Sequence, residues 1–156
     1  LIGLFPHTIT IYNKYTKGLG NWTGGLPPTN SVAWDITIIK NVSWEDEVHR
    51  NQDSTGKSTI DKTISVTIPL KEMEVEGGKR YVDTNEYVSL PVDTSNVWTL
   101  QDGDIIVFGE SRREISALYT ITNLQRDYKT MIIKGVEDTT KQDTLPNWNV
   151  SGVQGA

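Results

Sequence analysis

Cysteine is absent from the chain. Disulfide staples, a thiolate nucleophile and cysteine-ligated zinc are therefore excluded, and the fold must be held by its core. Histidine is nearly absent too. His7 and His49 lie in different contexts, one beside a patterned strand and one in a charged passage. Neither has a His or acidic partner at helical spacing, so the pattern gives no support to a metal site or a nucleophile–base pair. No apolar run approaches the roughly 20 residues of a membrane-spanning helix. Positive charge is also in short supply: Lys and Arg number 15 against 20 Asp and Glu, a net charge of −5. That balance argues against a nucleic-acid binder held by a basic surface, because phosphate affinity comes mainly from Lys and Arg.

At 156 residues the chain reads as one domain, and a chain of this size buries roughly 70% of the surface its unfolded form exposes. The first residue is a bulky leucine, Leu1, which leads us to expect that the natural start lies upstream.

What is abundant is period-two alternation. His7 to Tyr15 alternates β-branched and polar residues, with Ile9 and Ile11 on one face and Thr8, Thr10 and Tyr12 on the other. Val32 to Trp44 is the longest clean run, with Val32, Trp34, Ile36, Ile38, Val42 and Trp44 on one parity. A bend or bulge is expected near Ile39-Lys40, where two apolar residues meet a charge. Thr59 to Leu70 alternates again, with Ile60, Ile64, Val66, Ile68 and Leu70 facing inward and Pro69 ending the strand or marking an edge. Val97 to Glu110 runs into Asp102-Gly103, where glycine accepts the positive φ of a tight reversal, and then into the apolar run Ile105 to Phe108. That run is expected in the core, with Trp98 beside a subunit contact. Apolar residues at Ile115, Leu118, Ile121, Leu124 and Tyr128 suit a short helix near Thr120 to Asp127, with Thr122 as a cap for a shorter version. Thr130 to Glu137 reads as a strand bulged at Gly135.

Between these elements lie polar passages. Residues 17–31 carry several glycines and Pro27-Pro28 and read as a loop anchored by Trp22. Residues 45–58 and 71–88 read as extended polar loops, the second with a turn at Gly77-Gly78, and residues from about 141 as a C-terminal tail. The expected fold class is mainly β: a small antiparallel β-barrel or sandwich with long polar loops and one short helix.

Chemistry-bearing patterns are weak. Asn51 to Ser58 looks like the end of a phosphate-binding P-loop, but it lacks the leading glycine, the preceding strand and the following helix. Glu72, Glu74 and Glu76 share one strand parity, which suits a solvated face. Asp102 and Asp104 flank a turn and read as turn-formers. A paired-carboxylate hydrolase would need two acids across a cleft, and the acids are scattered. Trp22, Trp98 and Trp148 could serve as stacking platforms in a β-sheet module for carbohydrate or nucleic acid, which is the alternative reading.

Three blocks in order carry a resemblance: Phe5-Pro6-His7-Thr8-Ile9-Thr10, the Trp-Thr-Leu-x-Asp-Gly-Asp block from Trp98 to Asp104, and Thr144-Leu145-Pro146-Asn147-Trp148. Together they resemble minor capsid proteins of tailed bacteriophages, small β-barrel proteins of the virion neck. The resemblance implies a homo-oligomeric ring of the head-closure or stopper kind, assembled in the bacterial host cytoplasm. Its implied partners are a portal or adaptor protein on the head side and a tail-terminator or tail-tube protein on the tail side. Packaged DNA would pass through the channel, with no membrane, no cofactor and no catalytic residues. The residues expected at subunit or partner contacts are Trp44, His49, Arg50, Lys57, Lys79, Arg80, Trp98 and Trp148.

Overall fold

Alternating β-branched residues leave the chain one economical way to hide its apolar faces, which is to curl a sheet on itself. The computed structural model describes residues 5–16, 32–89 and 96–155. Its strands are β1 (His7–Thr16), β2 (Val32–Gln52), β3 (Ser58–Pro69), β4 (Glu74–Val75), β5 (Arg80–Tyr81), β6 (Val97–Trp98), β7 (Ile105–Phe108), β8 (Thr130–Asp138) and β9 (Asn147–Gln154). Two short helices, α1 (Thr84–Ser89) and α2 (Ile121–Asp127), complete the set. The main sheet runs β1-β7-β8-β9-β3-β2-β4, and the additional pairing of β1 with β2 closes six of these strands into an antiparallel barrel. Closure removes the free edges that an open sheet would expose.

Inside the barrel lie Ile9, Ile11, Ile39, Val42, Trp44, Ile64, Val66, Ile68, Ile106, Met131, Ile133 and Val150, with Trp98, Leu100 and Trp148 joining them. A second layer lies outside the barrel wall, where Tyr12, Ile105 and Val107 are covered by Leu124 of α2 and by Trp34, Ile36 and Tyr128. The run Ile105 to Phe108 is thus not wholly core: Ile106 points in, Ile105 and Val107 point out beneath α2, and Phe108 is partly exposed. A third small cluster, Tyr15, Val82, Tyr87 and Val97, packs beneath α1.

The long strand β2 serves two layers. Register against β1 slips where Thr8 faces Lys40 and His7 faces Val42, which leaves Asn41 unpaired with a φ of 63°. Asn tolerates this left-handed conformation better than most residues, and its side chain is tied to the Glu72 carbonyl at 3.0 Å. The expected bulge therefore exists, one residue beyond Ile39-Lys40. It also corrects the reading of a single apolar parity: Trp34 and Ile36 face the outer layer, while Val42 and Trp44 face the barrel interior.

Four further expectations change. Residues 45–58 are not a loop but the end of β2, a tight turn and the start of β3. Residues 71–88 contribute β4, β5 and α1, with Gly77 and Gly78 at positive φ in the turn between the two strands. The tail from 141 holds β9, which sits between β8 and β3 and buries Trp148 and Val150. The helix α2 forms where expected, but its cap is Thr120, in a reciprocal capping box with Asn123, and not Thr122. The β8 bulge falls between Ile133 and Gly135 as expected. The glycine-rich passage and its anchor Trp22 lie outside the described residues.

β9 runs very close to β8 at Gly152, where an added Cβ would stand 2.1 Å from the Ile132 carbonyl oxygen. Backbone cannot yield there as a side-chain tip could. Gly152→Ala is expected to destabilise the barrel by about 3 kcal/mol, read as a fall in the urea midpoint. An unchanged midpoint would show that β9 is not locked into the wall.

Candidate functional site

The barrel wall ends before the hairpin does. β9 accompanies β3 only as far as Ile64 opposite Gly152, and β1 accompanies β2 only as far as His7 opposite Val42. Beyond that, β2 and β3 continue alone from Glu47 opposite Thr63 to Gln52 opposite Ser58. These six residue pairs make a ribbon extending about 20 Å from the barrel. Its tip is closed by Asp53, whose Oδ1 accepts from the Thr55 N–H at 2.9 Å, the Thr55 hydroxyl at 2.6 Å and the Lys57 N–H at 2.9 Å. These bonds hold the Asp53 carboxyl below the ordinary carboxylate range. The segment resembling the end of a P-loop is this tip, with Gly56 supplying the positive φ of the turn.

The base of the arm is built more firmly. The Trp44 N–H donates to His7 Nδ1 at 3.0 Å, and the Phe108 ring stands against both His7 and Trp44. The Trp44 indole N–H donates to Asp46 Oδ1 at 3.3 Å, and Lys129 forms an ion pair with Asp46 from β8's side. A shallow cleft here is lined by Asp46, Val48, Lys62, Ile64, Lys129 and Gln154. Glu45, Asp46 and Glu47 cluster at the base, while Arg50, Lys57 and Lys62 lie farther out with the tip carboxylate Asp53, all exposed.

The expected contact residues divide accordingly. Arg50 and Lys57 are exposed on the arm. The backbone of His49 pairs with Asp61, while its side chain lies outside the described set. Trp44, Trp98 and Trp148 are buried within the single chain, Trp98 completely. Trp98, Trp148 and Tyr81 pack ring on ring, with centroids 4.6–5.4 Å apart. These tryptophans are corrected from contact residues to core, and two of the three stacking platforms of the alternative reading go with them. Lys79 is also turned inward: its Nζ donates to the Ile36 carbonyl and the Thr37 hydroxyl, and burial pulls its pKa down. Arg80 is exposed and lies 3.7 Å from Glu86.

Of the three clustered glutamates, Glu76 is bound by Arg112 at 2.8 Å, and β4 is too short to align the set as a face. Among the described residues, no group of three His, Asp or Glu side chains is arranged to hold a metal ion.

Sequence reasoning missed two features. Val48 is 58% exposed on the arm and Leu118 is 95% exposed on a loop outside it; the helical spacing that grouped Leu118 with Leu124 concealed its position. The other is Asp104, which is 2% exposed and far more than a turn-former. Asn13 Nδ2 and Gln101 Nε2 donate to its Oδ2 at 3.0 and 2.7 Å, and the Lys14 N–H donates to Oδ1 at 3.2 Å. Asn13 also exchanges hydrogen bonds with the Thr99 backbone in both directions. This network pins β1 to the segment between β6 and β7. Burial raises the Asp104 pKa, against the lowering pull of those donors.

A family model described as a family of unknown function (DUF6751) matches residues 4–153, nearly the whole chain, and the chain belongs to that family. No curated protein and no solved structure matches it.

Because the folded pKa of Asp104 lies above its ordinary value near 3.8, the folded state binds the extra proton in that window. Stability is therefore expected to fall as pH rises from that ordinary value through the folded one. Asp104→Asn sets an amide N–H₂ against a donor and is expected to cost about 1–3 kcal/mol at neutral pH. It should also flatten that falling limb in urea titrations at a series of pH values. A variant as stable as the parent, with the limb intact, would remove Asp104 from this role.

Proposed function

We propose that this protein is a structural component of the neck of a tailed-bacteriophage virion. In this reading it forms a homo-oligomeric ring that closes the head channel and joins head to tail. The observation that carries the reading is the arm. A closed barrel satisfies its own edges, yet this one extends a two-stranded ribbon that no other described strand accompanies. An isolated two-stranded ribbon is marginal in water, so its length is best accounted for by neighbours that order it. The three sequence blocks that resemble neck proteins support the same assignment, and each contributes a core residue, Ile9, Trp98 or Trp148. Trp98 and Trp148 are anchors of the fold, as expected if the blocks preserve a barrel and not an active centre.

Head-to-tail contacts related by rotation close into rings, and a subunit with an arm on one side suits that geometry. The portal or adaptor would take one face of the ring and the tail-terminator or tail tube the other. A net charge of −5 suits a channel lining that lets DNA pass without adhering.

Particles assembled without this chain are expected to lose packaged DNA or to remain tailless in electron micrographs, with rings visible at the neck of complete particles. Normal, infectious virions made in its absence would overturn the assignment.

A further inference from the structure

We propose that the arms of neighbouring copies pair edge to edge, β2 of one copy lying antiparallel against β3 of the next, so that the arms form a continuous belt of strands. This rests on the ring reading and names the contact that builds the ring.

Backbone direction supplies the first argument. The Trp44 N–H reaches His7, on the side away from β3. Successive residues of a strand direct their N–H and C=O groups to opposite sides, and the register with β3 runs from Ser43 to Gln52 without a shift. The N–H and C=O groups of Asp46, Val48 and Arg50 therefore also face away from β3, along an edge that no described strand covers. On the other strand, the Leu70 N–H reaches the Pro146 carbonyl on the β9 side. The same period directs the groups of Lys62 and Ile60 toward that side, but β9 departs at Gly152, opposite Ile64. Among the described residues the ribbon thus has two open edges with the same spacing of outward-facing groups. Such edges are templates for strand addition.

Symmetry and charge choose the occupant. Copies related by rotation about an axis along the arm present β2 and β3 at equal heights and in opposite directions. Val48 then stands opposite Lys62 of the next copy, as a pair that exchanges two backbone hydrogen bonds, and Asp46 lies diagonal to that lysine on the same face. Two β2 edges paired about Asp46 would set that carboxylate against its own copy and Glu45 against Glu47, a costly like-charge contact, whereas pairing about Val48 would set Asp46 opposite Arg50. Only the heterologous pairing propagates into a ring, and that decides between it and a two-fold dimer.

The cysteine-free chain makes a direct test possible. One population carries Val48→Cys and another Lys62→Cys, so that any disulfide joining the two substituted positions must join two chains. The expected pair has a Cα separation of about 5.5 Å, within disulfide range. Assembled particles from the mixed populations should give a linked dimer on non-reducing gels, and particles from either population alone should not. A linked dimer from Val48→Cys alone would mean two-fold pairing and would overturn the proposal. Val48→Pro provides a second measurement, since the N–H that proline removes faces outward and takes no part in the bonds between β2 and β3. It should leave barrel melting unchanged and raise the concentration needed for assembly by about tenfold. Rings that form without the mixed cross-link, or that tolerate Val48→Pro, would refute the arm pairing and leave the ring reading standing. A chain that stays monomeric in solution and on isolated heads would contradict both.

Discussion

The architecture depends on one backbone constraint: side chains of a β-strand alternate strictly, and β2 is too long to obey that rule along its whole length. Its 21 residues begin beneath the outer layer, cross the barrel wall and end in solvent. Asn41 resolves the conflict by stepping out of register, with its φ of 63° and its amide held by the Glu72 carbonyl. Before it, Trp34 and Ile36 pack outward against the layer that α2 covers; after it, Val42 and Trp44 pack inward. Without the step, one of these two aromatic anchors would face the wrong side. The same strand can then close the barrel with β1 and carry the arm with β3.

From that closure the remaining stabilities follow in order. The interior is filled by aliphatic side chains from all six barrel strands together with the Trp98–Trp148–Tyr81 stack. Buried polar groups fix what the aliphatic packing leaves free. Asp104 and Asn13 tie β1 to the segment before β7. Tyr12, Thr10 and Ser111 tie the same strand to the segment after it, through a 2.7 Å contact between the two hydroxyls and a 2.8 Å bond from Thr10 to the Gly109 carbonyl. Buried networks of this kind specify an arrangement because an unmet partner is expensive at low dielectric. The arm extends beyond these buried networks, with the Asp46–Lys129 ion pair at its base. Its order is set by ribbon hydrogen bonds and by whatever lies beside it.

Much of the β architecture was legible because alternation is a local signal. β1 and β3 lie where period-two runs of Ile, Val and Thr place them, β7 on the apolar run Ile105 to Phe108, and β8, the Asp102-Gly103 turn and the Gly135 bulge lie where expected. What escaped is nonlocal. β9 reads as a tail because Asn147, Asn149, Ser151 and Gly152 are poor strand formers; only its position between β8 and β3 makes it a strand. The arm reads as a loop because both its faces meet water, so no apolar period marks it. Asp104 reads as a turn residue because its partner Asn13 is 91 positions away. The tryptophans were visible as aromatic anchors, but composition could not say whether a partner or the chain's own core receives them. Arg50 and Lys57 are legible only as charges, and both lie on the arm between β2 and β3.

The central claim is that the barrel is complete within one chain and the arm is completed only by its neighbours. Hydrogen exchange of the inward-facing arm amides Glu47, His49 and Asn51, compared between free chain and assembled particle, tests it most directly. In the free chain these amides are expected to exchange orders of magnitude faster than those of Ile9, Ile106 and Ile133, and in the assembled particle to approach them. Arm amides as protected as the barrel in the free chain, with no gain on assembly, would contradict it.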